Sequence, residues 1–143
     1  MPPIYDVFLS HAHADKTAVE ELARKLRDAG ITPFLDKWHL VPGEPWQDAL
    51  EEALDQSRTC AVFIGKAWGA WHHEEMRSAL ETRVGNRSFR VIPVLLPGGQ
   101  QPGKEDLPRF LRRLNWVDFR AGLDDPDAFK RLLAGILGVA PGP

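Results

Sequence analysis

Bulky apolar runs and amphipathic stretches alternate along the chain. Ile4-Tyr5-Asp6-Val7-Phe8-Leu9 predicts a first strand, followed by the polar turn Ser10–Asp15. Val19, Leu22, Leu26 and Ala29 then recur on one helical face, and Gly30 supplies a stop. Thr17 with Glu20 three residues on fits a capping box, with Asp15 as the competing cap. Ile31–Leu35 is a second, short strand, and its Pro33 removes a ladder donor and favours the sheet edge. Asp36–Pro45 reads as a loop, punctuated by Pro42-Gly43 and Pro45. A helix follows with Trp46, Ala49, Leu50, Ala53 and Leu54 on one stripe.

Thr59–Ile64 is uninterrupted apolar strand, the signature of a central parallel strand covered on both faces, and Gly65 ends it. From about Trp71 to Val84 a third helix turns Met76, Ala79, Leu80 and Val84 inward. Arg90–Leu96 is the fourth strand, Pro97–Gly103 an extended loop, and a short helical stretch near Leu107–Leu114 leads to strand Asn115–Phe119. The last helix carries Phe129, Leu132, Leu133, Ile136 and Leu137. Such alternation predicts an α/β class with a parallel sheet and right-handed crossovers. Five units fit a flavodoxin-like three-layer fold, with strand order 2-1-3-4-5 and helices on both faces. Residues 1–138 make one domain, and residues 139–143 a tail or the start of a linker.

Composition narrows this picture. At 143 residues, 43% hydrophobic and 27% charged, the chain is sized for one ordinary globular domain. The net charge of -2 lacks the basic excess of a dedicated nucleic-acid binder. The single cysteine, Cys60, permits no intrachain disulfide and no cysteine-based metal cluster. There is no membrane-spanning apolar run and no signal-peptide pattern at the start, so a cytoplasmic protein is expected. Out of line are five tryptophans against one tyrosine, with Trp38, Trp46, Trp68 and Trp71 clustered between positions 38 and 71.

In an open parallel sheet, ligands bind beyond the carboxyl ends of the strands, where strand order reverses. That point lies between the first and third strands and is flanked by Ser10–Asp15 and Gly65–Glu75, with Asp36–Pro45 as a wall. Trp46, Trp68 and Trp71 lie on or beside these segments. Trp71 and Glu75 are four apart and share a helix face. Glu75, just before Met76, sits at the border of the buried stripe, where a carboxylate is partly desolvated. The alternative is an ordinary boundary glutamate favoured by the helix dipole. His72 and His73 diverge by about 100° on a helix and do not readily share one ion, so no metal is expected.

These residues together resemble the Toll/interleukin-1 receptor (TIR) domains, over nearly the whole chain. Tyr5-Asp6-Val7-Phe8-Leu9-Ser10-His11 is similar to the opening strand motif of that family. Phe34-Leu35-Asp36 with Leu40-Val41-Pro42-Gly43 resembles its second strand and BB loop. Trp71 followed by Glu75 and Met76 resembles the helix signature of the enzymatic members. Val91-Ile92-Pro93-Val94 and Asn115-Trp116-Val117-Asp118-Phe119 are similar to the fourth strand and the late box.

The resemblance implies one of two activities. Many bacterial and plant TIR domains cleave NAD at the nicotinamide–ribose bond, whereas adaptor-type members only assemble with other TIR domains. Enzymatic members depend on the glutamate that maps to Glu75, so its presence favours an NAD+ glycohydrolase, giving ADP-ribose or a cyclic isomer and serving bacterial defence. Nicotinamide is a cationic leaving group, and the barrier is oxocarbenium-like charge on the ribose, which a fixed carboxylate stabilises. With no glycine-rich dinucleotide fingerprint, NAD is a consumed substrate rather than a cofactor. Ser10, His11, His13, Asp36, Trp46, Trp68 and Trp71 are the candidate substrate contacts. His11 and His13 are either phosphate donors or solvated turn residues. Trp46 either stacks on a base or anchors its helix, Trp68 and Trp71 either wall the pocket or pack beneath it, and Asp36 serves the loop or the ligand. Trp38, Leu40, Pro42 and Gly43 form the assembly loop, through which other TIR domains complete the pocket in related enzymes. The expected partners are NAD+, further TIR domains and a sensor domain or chain, with neither nucleic acid nor membrane. A receiver domain shares the topology, but Ser10-His11-Ala12-His13 replaces its acidic cluster; a deoxyribosyltransferase-like enzyme also uses a glutamate on this architecture.

Overall fold

The uninterrupted apolar runs become the centre of the molecule. The computed structural model describes residues 4–66, 80, 81, 83, 89–99 and 111–143. Within them lie strands β1 (Val7–Ser10), β2 (Pro33–Phe34), β3 (Thr59–Ile64), β4 (Arg90–Leu95) and β5 (Val117–Asp118). They form one sheet in the order β2-β1-β3-β4-β5. All pairings are parallel, with Phe8 opposite Cys60, Ala61 opposite Ile92 and Val94 opposite Val117. Pro33 lies on the edge strand, as its missing donor requires. The order and the covering helices are those of a flavodoxin-like α/β fold.

Side chains of a strand alternate between faces, so an unbroken apolar strand feeds two cores. Val7, Leu9, Ala61, Phe63, Ile92 and Val94 meet helices α1 (Lys16–Asp28) and α4 (Pro126–Leu137) through Val19, Leu22, Leu26, Leu132 and Ile136. Phe8, Cys60, Val62, Ile64, Val91 and Leu95 face the other way, toward Ala53 and Leu54 of helix α3 (Trp46–Asp55). Cys60 is fully buried there, and desolvation pushes its thiol pKa well up, so it has no thiolate to offer.

Several local expectations give way to tertiary contacts. Asp15 is the N-cap of α1 but makes no side-chain cap bond, and Glu20 is buried and bonded elsewhere, so the capping box does not form. Ala29 is the exposed C-cap of α1 rather than a core residue. The expected loop Asp36–Pro45 opens with a helical turn, α2 (Asp36–His39). Trp46 is 52% and Leu137 59% exposed, so neither joins its helix's buried stripe. β1 starts at Val7, and Asp6 before it is tied to the segment leading into β2, its Oδ2 accepting from Thr32 N at 2.8 Å. Of the expected helix Trp71–Val84, Leu80 is helical and buried, and most of the rest lies outside the described residues. No helix among the described residues is long and apolar enough to cross a membrane.

Candidate active site at the carboxyl edge of the sheet

β1 pairs with β2 on one side and β3 on the other, so the chain reverses direction across the sheet between β1 and β3. Ser10 and Ile64 end these strands, and the segments beyond them press together. A methyl group on Gly65 would crowd the Asp15 carboxylate, so glycine here lets Asp15 keep this position. Asp15 Oδ2 is buried and has no hydrogen-bond partner among the described residues. Burial raises the Asp15 pKa, and nearby His11 opposes the shift.

His11 lies between two acids. Its side chain is nearly buried, with Nδ1 3.3 Å from Leu9 O and Nε2 3.8 Å from Asp36 Oδ1. The second distance is too long for a hydrogen bond and is an electrostatic contact when the imidazole is protonated. Asp36 Oδ1 accepts from Lys37 N at 2.7 Å, so this carboxylate also serves its own helical turn. Ser10 is buried at the strand end, and His13 is exposed on the 3-10 turn His13–Asp15. The structure thus brings His11 beside Asp15 and Asp36, with Ser10 buried at the end of β1 and His13 exposed on the turn that follows. Lys66, next to Gly65, runs its side chain over Gly98 in the loop after β4.

The wall after β2 has an anchored part and an exposed part. Trp38 is half-buried in α2, and its Nε1 donates to Glu20 Oε2 at 2.8 Å. The Arg27 guanidinium stands 5.2 Å from the Trp38 ring centre. Leu40 packs on the second core, and the chain then emerges as Val41-Pro42-Gly43-Glu44. Glu44 N donates to Val41 O at 3.1 Å while Gly43 has φ +93°. Pro followed by a positive-φ glycine makes this a type II turn. Leu40, the turn and Trp46 line a cleft of about 230 Å³.

Trp68, Trp71 and Glu75 lie outside the described residues. Topology places Asp15 and Gly65 beside the site but not their approach to each other, and the contact of Glu20 with α2 is what sequence patterning overlooks. Asp15 and Glu20 looked like helix-start residues, and only their long-range neighbours distinguish them.

A TIR domain family model matches residues 7–133. The NAD(+) hydrolase PdTIR of Paracoccus denitrificans is 32% identical over 95 residues, covering 64% of this chain and 31% of that protein. The probable 2' cyclic ADP-D-ribose synthase TcpB of Brucella abortus is 32% identical over 96 residues, covering 63% and 37%. The chain spans about a third of the length of these curated relatives. Among solved structures, the TIR domain of the Toll-related receptor TRR-2 from Hydra magnipapillata shares the fold. Its TM-score is 0.69 at 22% identity, covering 93% of this chain and 98% of that one. With a match over most of its length and the sheet order in place, this chain belongs to the TIR domain family.

Proposed function

We propose that the chain is an NAD+ glycohydrolase that cleaves the nicotinamide–ribose bond when several copies assemble. The observation that carries the reading is its similarity to two relatives, one named an NAD(+) hydrolase and the other a probable 2' cyclic ADP-D-ribose synthase. The carboxylates Asp15 and Asp36 beside His11, at the carboxyl edge of the sheet, support it, because the reaction develops positive charge on a ribose and needs fixed carboxylates nearby.

In the proposed reaction the ribose C1'–N bond breaks and its electron pair leaves with nicotinamide, neutralising the pyridinium. Glu75 binds the ribose diol and stabilises the oxocarbenium-like transition state. Water then adds to C1' and loses a proton to give ADP-ribose, or a nucleophile of the same molecule adds to give a cyclic isomer. His11, held beside Asp36, is a donor for the dinucleotide's phosphates, with Ser10 and His13 beside it. Trp46, Trp68 and Trp71 are proposed to bound the bases. The turn at Pro42-Gly43 contacts a second copy, and NAD+ is consumed rather than retained.

Chromatography of NAD incubated with concentrated or scaffold-clustered protein tests this. Nicotinamide should accumulate with ADP-ribose or a cyclic isomer, and Glu75→Ala should slow its release by at least about a hundredfold. Intact NAD under all assembled conditions, or full activity in Glu75→Ala, would overturn the reading.

A further inference from the structure

The four residues of α2 are too few to persist as an isolated helix, and its N-cap makes no side-chain bond. Its geometry therefore comes from what grips it. Two consecutive residues grip opposite layers. Trp38 packs on the core shared by α1 and the sheet, under Arg27. His39 stacks on Phe34 at 5.3 Å and meets Tyr5 edge-on at 5.4 Å, against the other core. Its Nδ1 lies 3.1 Å from Leu35 N and 3.0 Å from Leu35 O, and so closes the turn in either tautomer.

The grip on the α1 side converges on one carboxylate. Glu20 is 8% exposed; its Oε1 accepts from Lys37 Nζ at 2.9 Å and its Oε2 from Trp38 Nε1. Arg24 adds a contact at 3.6 Å. Both oxygens are thus committed to neighbouring residues of α2, far along the chain from Glu20, with a cation on either side. Directly beyond α2 and Leu40 the chain is exposed from Val41 through Trp46. A small rotation of α2 about the end of β2 would swing this whole segment.

We infer that Glu20 is a positioning residue that sets the direction of the loop Val41–Trp46 and so controls how readily copies of the chain assemble. The assembly part rests on the function proposed above; the aiming part does not. Glu20→Gln retains an acceptor for one donor but removes the charge between Lys37 and Arg24. Trp38→Phe retains the ring beneath Arg27 but removes the N–H.

The test is amide hydrogen exchange on dilute wild type and both variants, followed by sedimentation across a concentration series. The Trp38, His39, Leu40 and Glu44 amides, all bonded within α2 and its turn, should exchange about tenfold faster in each variant, with β3 and β4 unchanged. The concentration for half-assembly should rise about tenfold in both, while NAD cleavage per copy by Glu20→Gln on a clustering scaffold stays within about twofold of wild type. Unchanged exchange in α2, or equal loss of protection throughout the sheet, would overturn the inference and leave Glu20 a merely structural acid. Faster local exchange with an unchanged assembly midpoint would overturn the link to assembly. A wild type that neither assembles nor cleaves NAD would remove the proposed function, and the exchange data would still decide the role of Glu20.

Discussion

Asp15 keeps a buried carboxylate oxygen without a donor among the described residues, packed against Gly65 at the carboxyl edge where the ligand is expected. A group left in this state works against folding. Its pKa is raised by burial, so the folded protein holds the proton more tightly than the unfolded chain does. The penalty is fully present above the raised folded pKa. It fades as pH falls through that value and is gone below the ordinary 3.8. Asp15→Asn should therefore raise Tm at neutral pH, and its advantage should shrink toward zero as pH approaches about 4. Thermal denaturation of both proteins across that range checks the sign. A lower Tm for Asp15→Asn at every pH would mean that the carboxylate serves the fold as an acceptor. Stabilisation accompanied by loss of NAD cleavage would mark a residue kept for function at the expense of stability. Nothing local in the sequence distinguishes this aspartate from a helix cap, because its character comes from Gly65, packed against it from the end of β3.

The elements readable in advance were those whose own side chains settle their structure. β3 and β4 are apolar at nearly every position, and burial on both faces leaves no competing state. α4 carries its own boundaries: Asp125 Oδ1 accepts from Asp127 N and Ala128 N, Pro126 opens the helix and Gly138 closes it at φ +75°. Asp125→Ala should cost about 1 kcal/mol, and a chemical-denaturation midpoint measured beside wild type checks it. A change within about 0.3 kcal/mol would show that Pro126 and tertiary packing alone hold this end. α2 lacks such signals. Its residues read as loop because the groups that make it helical belong to α1 and to the opposite core. Glu20 escapes for the same reason: its spacing to Thr17 suggests a local bond, and two long-range donors outcompete it. The acids and His11 at this edge of the sheet could be placed by strand order alone, since position at a carboxyl edge follows from topology. How they face one another could not, because that depends on a separation of a few ångströms.

At the scale of the whole molecule, the exposed segment beyond α2 is where one copy can affect another. Val41 is 56% and Trp46 52% exposed, on either side of a turn that Pro42 and Gly43 hold in one shape. Large apolar side chains presented on a stiff turn contribute little to their own fold, because they remain in water when the chain is monomeric. They gain only on association, when that water is displaced. Trp46→Ala should thus leave Tm within about 2 °C of wild type, as expected of an exposed position, while shifting assembly to higher concentration. The net charge of -2 is small enough that like copies do not strongly repel, so the apolar contact need not overcome a large electrostatic term. The measurement is NAD cleavage per copy against protein concentration. Wild type should climb steeply, and Trp46→Ala should follow a parallel curve displaced to the right. If Trp46 also touches the dinucleotide, the plateau itself should fall, because added protein restores contacts between copies but cannot restore a missing contact to substrate. A displaced curve with a full plateau assigns Trp46 to assembly alone, and a lowered plateau assigns it to the pocket.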